Sequence, residues 1–311
     1  MAQTGIAAFS NMGTKFDGKI SGMTQQMQIT NNTVHDIKYD GMIICGDYKG
    51  RVTGNTIYNT NLASYLGEKQ GYAVGLFILH SKETVISGNE SYLSRSLNDG
   101  FGYDIDGDCD GIVLEYNYSH DNDGGFLLLV DHWNTNAVVR YNVSKQDSHV
   151  CIATSSFPNT DELQVLSAKI YNNTFFSTGP AWPSNIPFVL LNINSAPDSL
   201  EISNNIFYLT HPKVITSGGC KEAWCNMSNN LYYGTNASVV GQYDSAPIYA
   251  DPEFLNLSAA VDNGIIDGFQ LLDSSPCIGA GKVISDNGGR DYWGNSVSDT
   301  EAPNIGAYNG R

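Results

Sequence analysis

Residues 100 to 133 read "GFGYDIDGDCDGIVLEYNYSHDNDGGFLLLVDHW", and this stretch holds seven aspartates and two histidines. Carboxyls this dense suit three tasks: chelating a hard cation, acting as acid and base on a glycosidic bond, or forming turns. Asp104, Asp106, Asp108, Asp110 and Glu115 match the ligand spacing of a helix–loop–helix calcium site. Such a loop needs Gly where this chain has Cys109, and neither flank has a helical period, so that reading is set aside. "GDCDG" then reads as an acidic turn, whose oxygens suit a calcium ion without requiring one. Acid–base chemistry needs carboxyls on one face, so the elements that carry them decide the matter.

Those elements repeat. A β-branched or apolar residue, two further residues and an asparagine recur as "QITNNTV", "RVTGNTI", "VISGNES", "VLEYNYS", "VVRYNVS", "KIYNNTF", "EISNNIF" and "NMSNNLY". The asparagines are Asn32, Asn55, Asn89, Asn117, Asn142, Asn173, Asn205 and Asn230, at intervals of 23 to 34 residues. Between them lie short apolar runs separated by Asn, Asp and Gly turns, with no helical period. This predicts an all-β solenoid of stacked parallel coils rather than alternating strands and helices. Residues 1–250 are assigned to the coils and 251–311 to an irregular cap of the same domain. An asparagine at one place in every coil can form a buried amide ladder. Asn89, Asn117 and Asn142 open N-x-S/T sequons, and as ladder members they mark coil sequence rather than glycosylation.

Counting back 11 residues from Asn117 and Asn142 reaches Asp106 and Asp131. Allowing one shorter and one shifted turn adds His80 and Thr154. The expected outward row is therefore His80, Asp106, Asp131 and Thr154, on strands about 4.8 Å apart. Phe77, Leu79, Tyr103, Ile105, Leu128, Val130, Cys151 and Ala153 read as the core-facing alternates. Asp104, two residues before Asp106, shares its face. Asp104, Asp106 and Asp131 are the catalytic candidates. His80, His132, Trp133, Asp123 and Thr154 are the substrate-binding candidates, with Trp133 able to stack on a sugar face. Asp108 and Asp110 read as turn formers, and His120 and His149 as structural. No metal ligand set is assigned.

The Asn-ladder coils, "GFGYDIDGDCDGIVLEYNYSHDNDGGFLLL" and the tail "DPEFLN…FQLLDSSPCIGAG…DYWGN…PNIGAYNG" together resemble the right-handed parallel β-helix proteins of the pectate-lyase-like superfamily. The resemblance covers residues 20 to 311. It implies a right-handed helix closed by its C-terminal segment and work on polysaccharides, with reactions ranging from lysis and hydrolysis to plain adhesion. No amphipathic capping helix precedes the first coil, which suggests a partner domain or subunit there.

Charge narrows the partners. The chain carries 32 acidic and 16 basic residues, a net charge of −16, with charged residues at only 15%. Such a surface repels nucleic acid and anionic membranes, and no apolar run reaches membrane-spanning length. The opening "MAQTGIAAFS" does not read as a secretory leader. Near the acids the cations are Lys82, Arg95 and Arg140, too few to neutralise a polyuronate. The expectation is an extracellular or cell-surface glycoside hydrolase on a neutral or weakly charged glycan. A calcium-assisted lyase or epimerase, and a non-catalytic glycan-binding or adhesive β-helix, are the alternatives. Cys220 and Cys225 are close enough in sequence to close a small loop, whereas Cys45, Cys109, Cys151 and Cys277 are scattered.

Overall fold

Each circuit of the chain lays down three short strands, and every strand pairs in parallel with its counterparts on neighbouring circuits. The computed structural model describes residues 2–10, 22–63, 66, 72–96, 99–130, 132–155, 165–179, 188–193, 197–216 and 218–310. The first sheet stacks Ile6–Phe9, Met42–Cys45, Leu76–Leu79, Phe101–Ile105, Gly125–Val130, Val150–Ser155, Phe188–Ile193 and Val214–Ile215. The second runs from Gln28–Thr30 to Cys225–Ser228, and the third from Thr33–His35 to Leu231–Gly234. This is an all-β parallel β-helix.

The bend between the second and third sheets explains the repeated asparagine. The residue before each ladder asparagine is left-handed: Asn31, Gly54, Gly88, Tyr116, Tyr141, Asn172, Asn204 and Asn229 all have φ between 51° and 67°. Gly and Asn take that conformation readily, which accounts for the "GN" and "NN" pairs. The following asparagine turns inward. Each Nδ2 donates to the next asparagine's Oδ1 at 2.9 to 3.0 Å from Asn32 through Asn205. Asn230 ends the series by donating to Asp244 Oδ2 at 2.6 Å. Asn89, Asn117 and Asn142 are buried, so their sequons sit inside the coil.

Beside the ladder runs an aliphatic row, Ile29, Val52, Ile86, Leu114, Val139, Ile170, Ile202 and Met227, one residue per coil and all buried. Burial of each such side chain is worth about 1.5–3 kcal/mol. Helix Ala237–Val240 sets Val240 against the end of this core. The tail then returns over the outer face of the third sheet, where Phe254, Phe269, Leu271, Ile305 and Ala307 pack with Tyr118, Val143, Phe176 and Ile206. It is anchored by Asn172 Nδ2 to Asn304 O at 2.8 Å and Arg140 Nη1 to Asp286 O at 2.9 Å. None of the described helices is long and apolar enough to cross a membrane.

Candidate active site

Strand Phe101–Ile105 carries the first acid. Tyr103 points inward, its hydroxyl donating to Asn89 O at 3.0 Å, and Ile105 joins the core. Gly102 also faces inward, where Ser119 Oγ and Asn122 Nδ2 leave no room for a Cβ. Asp104 therefore points out, between Phe77 and Leu128 on the flanking strands. These neighbours belong to an outer-face apolar cluster with Val74, Phe101, Val150, Ala153 and Val189. Asp104 is only 6% exposed, and its Oδ1 has no hydrogen-bond partner among the described residues.

Three more carboxyls act on it. Burial, then the charges of Asp106, Asp99 and Asp40, hold the Asp104 carboxyl well above its ordinary range. Asp99, just before the strand, is pushed up to about 8 by burial, then by Asp40 and Asp106. Asp40, two coils away, is raised to about 6, chiefly by burial, although Val74 N–H donates to its Oδ1 at 3.0 Å. Asp106 is raised by burial and drawn back by the Gly107 N–H, 2.6 Å from its Oδ1, and by the imidazoles of His80 and His132. Asp104 and Asp106, two residues apart on one face, have α-carbons about 7 Å apart. The face thus offers one carboxyl raised to about 8, Asp99, beside Asp106, which polar neighbours draw back, a contrast suited to an acid and a base or nucleophile.

At the far end of the strand, Asp108 sits between two imidazoles, with Oδ2 2.8 Å from His80 Nδ1 and Oδ1 3.8 Å from His132 Nε2. Its N–H donates to His132 O at 2.6 Å. Trp133 follows, 41% exposed and left-handed at φ 50°, and His80 is left-handed too, at φ 48°. A bulky residue in that region is uncommon, and such strain collects at functional sites. Among the described residues no three His, Cys, Asp or Glu side chains are arranged to hold a metal ion.

The structure corrects the expected register. Ile105 lies opposite Leu129, and Leu129 opposite Thr154, so Thr154 belongs to an inward row and is buried. The next rung sets Asp106 beside Leu79 and Val130, and His80 beside Gly107, whose carbonyl accepts its N–H at 3.0 Å. Asp131 lies outside the described residues. Coil offsets differ from those expected: 27 at Ile78–Ile105 and 25 at Leu129–Thr154, and between the middle coils 24 at Ile105–Leu129 but 25 at Cys109–Asn134, one extra residue after Val130. A one-residue slip exchanges the faces. Phe77, Leu128 and Ala153, read as core from sequence, accordingly face outward, whereas Tyr103, Ile105 and Cys151 do face the core.

The fold brings His80, His132, Trp133, Asp104 and Asp106 to one region. Asp123 stands where its strand begins, as Asp40 and Asp99 do, but it is paired with Arg95 at 2.9 Å. Asp40 and Asp99 were missed by sequence reasoning, although a signal exists. An Asp-Gly pair precedes a first-sheet strand at Asp40, Asp99 and Asp123 alike. The nearby cations are committed elsewhere, Lys82 to Asp110 at 2.7 Å and Arg140 to Glu115 at 2.7 Å.

Comparison with known proteins agrees with this architecture. The family model described as "Right handed beta helix region" matches residues 2–175. A lacto-N-biosidase from Bifidobacterium longum subsp. longum is 28% identical over 279 residues, which is 81% of this chain and 16% of that protein. The chain thus spans about one sixth of the length of that curated relative. Pectate lyase Pel9A superposes with a TM-score of 0.58 at 16% identity, covering 100% of this chain and 70% of that one. XylC in complex with xylose gives 0.56 at 12% identity, covering 91% and 50%.

Proposed function

The chain belongs to the right-handed β-helix family, and from that premise we propose that it is a glycoside hydrolase acting on a neutral or weakly charged poly- or oligosaccharide outside the cell or at its surface. The observation that carries this reading is the electrostatically coupled group of Asp40, Asp99, Asp104 and Asp106, in which a carboxyl raised to about 8 stands within electrostatic reach of Asp106. Asp99 keeps its proton at neutral pH and delivers it to the glycosidic oxygen as the bond breaks. Asp106, held by the Gly107 N–H, serves as nucleophile or as base toward water. Buried Asp104, held well above its ordinary range, tunes both. His80, His132 and Trp133 hold the sugar, with the indole against a C–H face. The relative named a lacto-N-biosidase supports hydrolysis.

A lyase needs a cation to neutralise the uronate carboxylate, and Lys82, Arg95 and Arg140 are each bound to another acid. That pairing favours hydrolysis over elimination.

The test is turnover of a panel of aryl glycosides and neutral oligosaccharides by wild type, Asp99→Asn and Asp106→Asn. Expected is at least a hundredfold loss in both variants. Aryl glycosides with strongly acidic leaving groups, which need no proton, restore Asp99→Asn and leave Asp106→Asn inactive. Cleavage that produces an ultraviolet-absorbing unsaturated uronate, or that survives both substitutions, overturns the assignment.

A further inference from the structure

A second chemically distinct site lies at the far end of the coils, in "CKEAWC". Cys220 is the third residue of the 3-10 turn Gly218–Lys221, and Cys225 opens the last strand of the second sheet. Two consecutive turns double the segment back: Glu222 N–H donates to Gly219 O at 3.0 Å, and Cys225 N–H to Glu222 O at 3.0 Å. Both side chains enter the end of the core beside Met227 and Val240, and they are 2% and 6% exposed. There the two thiols hydrogen-bond to each other. Cys45, Cys109 and Cys151 lie on earlier coils, and Cys277 is buried in the tail.

We propose that Cys220 and Cys225 are a thiol–disulfide redox site, oxidised by a low-molecular-weight disulfide to a bond that staples the last coil to its preceding turn. One thiolate of the pair attacks one sulfur of the oxidant and expels a thiolate. The other thiolate then attacks the protein sulfur of the mixed disulfide and expels the second. Two S–H groups become one S–S bond, and the oxidant leaves as two thiols carrying the two protons. The two sulfurs bond to each other, so whichever is attacked first is resolved by its neighbour. On its outer side the terminal coil is covered only by the short helix Ala237–Val240 and by single bridges at Met227 and Leu231, and local opening of this cover admits the oxidant.

The site is independent of the carbohydrate chemistry, and its test needs no substrate. The full chain is equilibrated with oxidised glutathione, denatured under acid quench, alkylated and digested. Wild type is expected to show two of its six cysteines protected, both in one peptide joined by an internal bond. A thermal midpoint about 3 °C above that of the reduced protein is expected, from closure of so short a loop in a chain of this size. Reductant reverses both changes. The Cys220→Ser, Cys225→Ser double variant shows neither. Six alkylated cysteines in the oxidised wild type, a bridge mapped elsewhere, or glutathione retained on a single cysteine overturns the proposal. The wild-type peptide map decides the matter even if the double variant does not fold.

Discussion

Replacing Asp99 by Asn changes no shape and removes one titration. In the folded chain this carboxyl titrates at about 8, whereas its ordinary value is 3.8. Between those values the unfolded chain has released the proton and the folded chain retains it. The folded state therefore binds more protons, and stability falls as pH rises from about 4 to about 8, then levels off. One pKa unit corresponds to about 1.4 kcal/mol, so the full shift amounts to roughly 5–6 kcal/mol. Water still reaches half-buried Asp99 and screens its like-charged neighbours, which reduces the expected penalty to roughly 2–4 kcal/mol at pH 8. Asn carries no such penalty. Equilibrium urea unfolding of wild type and Asp99→Asn from pH 4 to pH 9 should give nearly equal stabilities at the acid end. The variant should become progressively more stable up to pH 8 while losing its turnover of unactivated glycosides. A stability difference that does not change with pH would refute the reasoning, because it would mean that the carboxyl ionises in the fold as it does in water and that the acids do not converge.

Asn142→Ala removes donors to Leu114 O, Arg140 O and Asn173 Oδ1, and leaves the Asn117 N–H and Nδ2 without their acceptor. Buried groups stranded in this way should cost roughly 3–5 kcal/mol, read as a fall in denaturation midpoint. Trp133→Gly relieves the left-handed backbone and should stabilise the fold by about 1 kcal/mol. It should also raise KM about tenfold with kcat nearly kept, measured by steady-state kinetics. Gly102→Ala forces a Cβ against Ser119 Oγ and Asn122 Nδ2. The resulting shift of Asp104 should lower turnover, and overpacking should cost about 1–3 kcal/mol, seen by thermal denaturation.

Much of the scaffold was legible because it is written locally and repeatedly. A residue suited to left-handed backbone followed by asparagine marks the same bend on every coil, and each copy needs only its own neighbours to form. The exceptions, Tyr116 and Tyr141, occupy that bend where the returning tail packs its Val297 and Ile284 against the coils. No local preference would have placed tyrosine there.

The site was legible in composition and not in arrangement. Asp104, Asp106, His80 and His132 drew attention by residue type, but their rows depend on how many residues each turn contains. Thr154 stacks on inward Leu129, and Leu129 on Ile105, so it went inside. Asp40 and Asp99 reach the same face from separate circuits, by stacking alone. What the amino-acid order determined by itself was the coil: its period, its bends and its buried amides, since these rest on backbone preference and nearest-neighbour pairing. What only the tertiary structure decided was which acids meet and which of them lose their water, because both follow from register between distant segments and from the apolar side chains that surround them.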